Sequence, residues 1–146
     1  MTVVTDGVFG MVKQIVKDVF FLGQRSEEAT RDDMQVIDDL KDTLKANRDH
    51  CVGMAANMIG YKKRIIIVSM GNMDVVLVNP VILQKSVPYD TEEGCLSLDG
   101  VRKTKRYKKI RVKYMDEGFR QHTQEYAGYI AQIIQHECDH LEGIVI

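Results

Sequence analysis

The sequence has no tryptophan, only two prolines and three cysteines among its 146 residues. An odd number of scattered cysteines (Cys51, Cys95 and Cys138) argues against a disulfide framework and favours a reducing compartment, so we expect a cytoplasmic protein. Apolar runs such as residues 65–68 are too short to cross a membrane. The N-terminal residues lack a clean apolar stretch followed by a cleavage site, so we do not expect a secretory signal. The net charge of −1 excludes a global basic field, so DNA is not an expected partner.

The scarcity of proline and the lack of low-complexity tracts argue against a long linker. Hydrophobic residues make up 45% of the chain and charged residues 28%, which is the profile of a globular protein. A chain of this length suits one domain, which we expect to span residues 1–146. Such a domain buries roughly 68–70% of its unfolded surface and needs no covalent cross-links to fold.

Three segments have apolar residues at helical spacing. The first predicts an amphipathic helix on the core rather than on a membrane surface, because its polar face is not strongly basic; its apolar residues are Val8, Met11, Val12, Ile15, Val19 and Phe20. The second helix is expected over about residues 31–47, where Thr30 and Asp33 resemble a capping box. The third is expected over residues 129–141 and ends before Gly143.

Runs of β-branched residues and apolar–polar alternation predict the strands. The expected strands are residues 65–70, 75–78 with an extension at 81–83, 109–114 and 121–126. Gly71 and Asn72 predict a hairpin between the first two strands. Five to seven strands followed by a buried helix predict an α+β fold.

The most informative string is Gln135-His136-Glu137-Cys138-Asp139-His140. Two histidines four residues apart lie on one face of a helix and can bind one metal ion. Glu137 is rotated by about 100° from His136, so it can act on a water at the ion rather than on the ion itself. The alternative is a pair of core histidines satisfied by hydrogen bonds. We favour metal binding because buried imidazoles and carboxylates are costly unless they are paired or metal-bound.

A catalytic metal site also needs a third protein ligand and an open coordination position. Only six residues follow His140, and Ile146, at the position of the last ligand in a long metzincin pattern, cannot bind metal. The third ligand is therefore expected upstream, where the candidates are His50, Cys51, Cys95, His122 and several acids. Cys95 stands out because it follows Glu93 and Gly94, although an isolated cysteine is more often a small buried hydrophobe.

Three motifs in this order resemble those of the peptide deformylases. They are Gly-Met-Ala-Ala-Asn-Met-Ile-Gly at 53–60, Glu-Gly-Cys-Leu-Ser at 93–97 and the histidine string at 135–140, and the last two match in full. The resemblance covers about residues 20–146. It implies small mixed or antiparallel β-sheets wrapped around a buried helix that carries the two histidines. It also implies removal of the formyl group from N-formylmethionyl peptides or nascent chains.

The same resemblance implies roles for individual residues. Cys95, His136 and His140 would bind one divalent ion, which is usually Fe²⁺ in the family, with Zn²⁺, Ni²⁺ or Co²⁺ as alternatives. Glu137 would be the general base and acid. The backbone N–H of Leu96 would stabilise the oxyanion that forms on the formyl oxygen.

The first motif departs from the family pattern at two positions. Cys51 replaces its opening glycine, and Met58 replaces a glutamine whose side chain donates to the oxyanion. A thioether cannot donate a hydrogen bond, and loss of one donor typically costs roughly 10²–10³ in rate. Asn57 is not expected to substitute, because alternation turns it the other way. The alternatives are therefore a catalytically weak metal-binding protein that binds N-terminal peptides, or a deacylase for another N-acyl group.

The substrate is expected to lie as an added strand beside residues 52–53 and 94, with its methionine side chain in an apolar pocket. The residues expected to contact it are Val52, Gly53, Met58, Gly94 and Ile133. Around the metal, Arg106 is expected to pair with Glu93 and to steady the loop that carries Cys95.

Eight basic residues and no acid lie between Arg102 and Lys113. We interpret this run as a solvent-exposed strand face, because charged and apolar residues alternate at 109–113. The alternative is contact with ribosomal RNA, where formylated nascent chains emerge.

Overall fold

The computed structural model describes residues 10–145. Its helices and strands are α1 (Val19–Leu22), α2 (Met34–Ala46), β1 (Gly53–Ala55), β2 (Ile65–Ser69), β3 (Asp74–Cys95), β4 (Leu98–Met115), β5 (Gln121–Ala127) and α3 (Gly128–Leu141). The strands form one antiparallel sheet in the order β1-β2-β3-β4-β5, which confirms the α+β prediction. No helix in this part of the chain is long and apolar enough to span a membrane.

The hairpin predicted at Gly71 joins β2 to β3. The residues Ile65–Val68 are fully buried, as expected for a β-branched run between two neighbouring strands. The connection is closed by a hydrogen bond from the Met70 N–H to the Met73 carbonyl (2.9 Å). Gly71 has a φ of 93°, a conformation that glycine adopts without steric cost.

Strands β3 and β4 form a hairpin much longer than the short strands expected at 75–78 and 109–114. Its register runs from Val78 opposite Met115 to Cys95 opposite Leu98, with three irregularities on the way. The outer part was not predicted because residues 84–92 are mostly polar and exposed, without an apolar face. The hairpin carries Cys95 to its tip, next to α3.

The predicted helix over 129–141 is confirmed as α3, and it is largely buried. Ala131, Ile134 and Leu141 have no exposed surface. The side-chain amide of Gln135 accepts from the Tyr107 N–H and donates to the Tyr107 carbonyl, both at 2.8 Å. This two-way contact fixes the helix against β4, since both backbone groups of one residue are satisfied by one side chain.

The predicted helix over 31–47 is confirmed as a turn of 3-10 helix at Arg31–Asp33 followed by α2. The expected capping contacts are present: the Asp33 carboxylate accepts from the Thr30 N–H (2.8 Å), and the Thr30 hydroxyl accepts from the Asp32 N–H (3.2 Å). Its apolar face (Ile37, Leu40 and Leu44) is fully buried.

The prediction of an N-terminal amphipathic helix is wrong for residues 10–18, and Val8 lies outside the described residues. Residues 10–18 are not helical, and α1 is only four residues long with Phe20 80% exposed. Three backbone N–H groups donate outside the segment: Met11 to Asp39 Oδ1, Lys13 to Thr43 Oγ1 and Val16 to the Met58 carbonyl. These partners replace the hydrogen bonds that a helix would supply, so the apolar spacing does not decide the structure.

Candidate metal centre

Cys95, His136 and His140 meet at one point. Their ligand atoms all lie within 4.8 Å of one another. The His140 Nε2 atom is 3.1 Å from His136 Nε2 and 3.5 Å from Cys95 Sγ. Cys95 comes from the end of β3, and the two histidines come from one face of α3, as expected for residues four apart.

These distances fit a tetrahedral metal ion. With metal–nitrogen bonds of about 2.05 Å and a metal–sulfur bond of about 2.3 Å, tetrahedral angles place two nitrogens about 3.3 Å apart and nitrogen and sulfur about 3.5 Å apart. A thiolate with two imidazoles suits first-row transition metals. A four-coordinate ion held by these three residues would keep one position open, as a catalytic site requires.

The carboxylate of Glu93 orients His136. Its Oε1 atom is 2.7 Å from His136 Nδ1, so the other ring nitrogen is left for the metal. The amide of Gln132 donates to Glu93 Oε2 at 2.9 Å. Burial raises the pKa of Glu93, but hydrogen bonds from His136, Arg106 and Gln132 outweigh it and lower the pKa to about 2. Glu93 is therefore a fixed negative charge hydrogen-bonded to His136.

The guanidinium of Arg106 joins Glu93 to Asp139. It donates to Glu93 through Nη2 (2.7 Å) and Nε (3.0 Å), and to Asp139 through Nη1 (2.7 Å). Arg106 is only 4% exposed. Burial lowers its pKa, but the hydrogen bond to Glu93 and the charge of Asp139 raise it overall. The structure thus brings the expected pair together and adds Asp139 as a second carboxylate on the same guanidinium.

Glu137 follows His136 on α3 and lines the same cleft as Cys95. The residue is 4% exposed, and within residues 10–145 its Oε1 atom has no hydrogen-bond partner. Burial raises the pKa of Glu137 to about 7, although the charge of His136 opposes the shift. A carboxyl group with a pKa near neutrality is suited to accept and return a proton.

Burial and the charge of His136 both lower the pKa of His140, to about 3, so this imidazole is neutral. A neutral imidazole is the form that binds metal. Asn57 donates to the His140 carbonyl (3.0 Å), so its side-chain amide contacts the backbone of α3.

A cleft of about 460 Å³ opens next to these residues. Of the residues expected to contact substrate, Val52, Gly94 and Ile133 line it; Leu96, expected to stabilise the oxyanion, lines it as well. Two candidate third ligands, His50 and Cys51, line the cleft without joining the ligand cluster. Sequence reasoning did not assign a role to four further lining residues, which are Glu92, Gly100, Tyr129 and Gln132. Patterns within one segment could not have predicted these positions, because the cleft is formed by segments that are distant in the sequence.

Gly53 and Met58 are not among the residues that line the cleft. Gly53 lies just behind it: a Cβ on Gly53 would come within 2.6 Å of the Ile133 side chain and 3.0 Å of Glu137 Oε2. Met58 is 1% exposed, and its sulfur accepts a weak contact from the Ala55 N–H at 3.5 Å. Its side chain therefore packs in the core.

Comparisons with known proteins identify the family of this chain. A family model described as polypeptide deformylase matches residues 13–146. A peptide deformylase of Clostridium beijerinckii is 63% identical over 136 residues, which cover 93% of this chain and all of the relative.

Solved structures give the same result. A peptide deformylase from Thermotoga maritima has a TM-score of 0.82 and 31% identity, with 92% of this chain and 94% of that chain covered. A Met-Ala-Ser-bound class I type b peptide deformylase from Acinetobacter baumannii has a TM-score of 0.82 and 30% identity, with 92% and 97% covered. The resemblance inferred from the three motifs is confirmed, and the chain belongs to the polypeptide deformylase family.

Proposed function

We propose that this chain is a metal-dependent hydrolase that removes the formyl group from N-formylmethionyl peptides or nascent chains in the cytoplasm, as a single domain. The observation that carries the proposal is Glu137, a buried carboxyl that lines the same cleft as Cys95 and His136, whose ligand atoms meet that of His140. The Met-Ala-Ser complex of a relative supports a peptide with an N-terminal methionine as the ligand.

Fe²⁺ is the proposed ion, with Zn²⁺, Ni²⁺ and Co²⁺ as alternatives that the same donors accept. Cys95, His136 and His140 would hold it, and Glu93 would orient His136. When bound, the ion would supply Lewis-acid activation of the attacking water and of the formyl carbonyl.

The chain's own groups would move the proton and stabilise the charge. Glu137 would take a proton from the attacking water and deliver it to the amine nitrogen as the C–N bond breaks, which yields formate and a free N-terminus. The Leu96 N–H would donate to the formyl oxygen as it becomes negative. Support for this assignment is that Leu96 directly follows Cys95 and lines the cleft.

The peptide would extend the sheet along the free side of β1, beside Val52 and Gly53, with Gly94 on the opposite wall and Ile133 in the methionine pocket. Among residues 10–145, β1 pairs with β2 alone, which supports such an added strand. Ribosomal contact through β4 has weaker support, because Asp90 and Glu92 of β3 lie opposite Lys105 and Lys103. An exposed strand with partly balanced charge remains our interpretation of that face.

Met58 favours a reduced rate. Since a thioether cannot donate and the side chain is buried in the core, the Leu96 N–H would act without the second donor that the family uses. Because of this observation, two other functions remain as alternatives. One is a weak enzyme that mainly binds N-terminal peptides, and the other is a deacylase for another N-acyl group.

One assay tests the proposal. Anaerobic Fe²⁺- or Ni²⁺-loaded protein is given formyl-Met-Ala-Ser and acetyl-Met-Ala-Ser, with Glu137→Ala and Met58→Gln in parallel. We expect deformylation by the wild type, its loss in Glu137→Ala, and a gain of roughly 10²–10³ in Met58→Gln.

Equal rates for the wild type and Glu137→Ala would reject the hydrolase. No gain in Met58→Gln would reject the missing-donor explanation. Faster release of acetyl than of formyl groups would favour the deacylase.

A further inference from the structure

Cys51, which stands where the family motif has a glycine, contacts the backbone of β1. Its thiol donates to the Gly53 carbonyl, with Sγ 2.8 Å from the oxygen. Cys51 lines the cleft next to Val52. Burial raises the pKa of its thiol to about 12, so the S–H proton is present at neutral pH.

The Gly53 carbonyl points to the free side of β1. The Ser69 N–H donates to the Val52 carbonyl at 2.8 Å, so the Val52 carbonyl faces β2. Successive carbonyls of a strand point in opposite directions, which turns that of Gly53 away from β2. On an edge strand, such a carbonyl is the acceptor available to the N–H of an added peptide.

The Glu137 carboxylate lies at the same place. It lines the cleft and is 4% exposed; its Oε2 lies close to Gly53, and its Oε1 has no hydrogen-bond partner among residues 10–145. Because buried polar groups are rarely left unpaired, this carboxylate favours a ligand that brings a hydrogen-bond donor to it beside Gly53. The amide N–H that joins a formyl group to a methionine is such a group.

We propose that the Cys51 thiol competes with the substrate: it donates to the Gly53 carbonyl in the free protein and is displaced by the N–H of the bound peptide. The identity of that peptide rests on the proposed function. A thiol is a weak hydrogen-bond donor, so displacing it costs little. A hydroxyl at the same position would bind the carbonyl more strongly and compete better, whereas a methyl group would not compete.

The test compares Cys51→Ala and Cys51→Ser with the wild type. Binding of Met-Ala-Ser, whose amino group also has N–H donors, is measured by calorimetry on the Ni²⁺-loaded proteins, and KM and kcat are measured with formyl-Met-Ala-Ser. We expect Cys51→Ala to lower Kd and KM by about two- to fivefold and Cys51→Ser to raise them by a similar factor. The value of kcat should change much less, since the thiol is displaced before the reaction.

Cys138→Ala and Cys138→Ser are the matched controls, because Cys138 is on α3 but does not line this cleft. We expect them to leave Kd and KM unchanged. A shift in the same direction for both Cys51 variants, or no difference between Cys51→Ser and the wild type, would overturn the proposal. An ordered series of Kd values in a protein that does not hydrolyse the formyl peptide would support it while rejecting the proposed function.

Discussion

The substitution Arg106→Ala removes the cation shared by Glu93 and Asp139. The guanidinium makes its hydrogen bonds to Glu93 where both side chains are almost fully buried, and Asp139 accepts a further one at 2.7 Å. An alanine would leave both carboxylates without their cation. Breaking a buried pair in this way typically costs about 3–5 kcal/mol, because the remaining charge is desolvated and uncompensated.

The expected loss of thermal stability follows from the size of the chain. An unfolding entropy of about 2.1 cal/mol/K per residue amounts to roughly 0.3 kcal/mol/K for 146 residues, so 1 kcal/mol corresponds to about 3 °C. Arg106→Ala should therefore lower Tm by about 10–16 °C. Glu93 keeps its bonds to His136 and Gln132, so metal affinity should fall by about tenfold, at the lower end for loss of a group that orients a ligand.

Arg111→Ala is the control. Arg111 lies on the same strand and pairs with Glu125 at 2.9 Å, but both side chains are exposed. An exposed pair contributes at most about 1 kcal/mol, or about 3 °C here. Calorimetric Tm and a chelator competition for Ni²⁺ would be measured on both variants. If Arg106→Ala lost no more stability than Arg111→Ala, the reasoning about burial and charge would be refuted.

Three further predictions concern close contacts and the metal ligands. Gly53→Ala should abolish most deformylase activity while the protein still folds, because the new Cβ would collide with the side chain of Ile133 and with the carboxylate of Glu137. Activity within twofold of wild type would contradict this contact. Gly143→Ala should lower Tm, since Gly143 has a φ of 77° and its Cβ would lie 2.5 Å from the Gly23 carbonyl; an unchanged calorimetric Tm would reject this. Removal of Ni²⁺ by a chelator should speed alkylation of Cys95 by iodoacetamide, measured by peptide mass spectrometry, because a metal-bound thiolate cannot attack freely; equal rates would argue against Cys95 as a ligand.

Elements with an apolar face could be predicted from the sequence. The alternation at 109–113 and the helical spacing at 129–141 led to β4 and α3, since one face of each packs on the core. The outer part of the β3–β4 hairpin has no such face, so its pairing depends on backbone hydrogen bonds that side-chain patterns do not report. The prediction for the N-terminal segment failed for the opposite reason. Its apolar residues have helical spacing, but its backbone N–H groups donate to the side chains of Asp39 and Thr43 rather than to carbonyls of a helix.

The motif residues of the site could also be predicted, because Cys95, His136 and His140 carry recognisable spacing and order. Asp139 and Gln135 lie inside the histidine motif on α3. Their roles, however, depend on hydrogen bonds to Arg106 and Tyr107, respectively, which lie on β4. The sequence holds both partners but not the tertiary contact that joins them. The position of Met58 in the core, rather than at the cleft, likewise depends on how residues 56–59 turn.

Because Cys95 is carried by the long β3–β4 hairpin, the metal centre can form only when these two strands pair in the native register. Cys95 lies at the tip and must meet His140, 45 residues further along the chain. A slip of one residue in the pairing would turn Cys95 to the opposite face of the sheet. The third donor would then be lost, so an ion selectively stabilises chains in which the strands have aligned correctly. Metal capture should therefore occur late, after the hairpin has closed, and mispaired chains should remain metal-free.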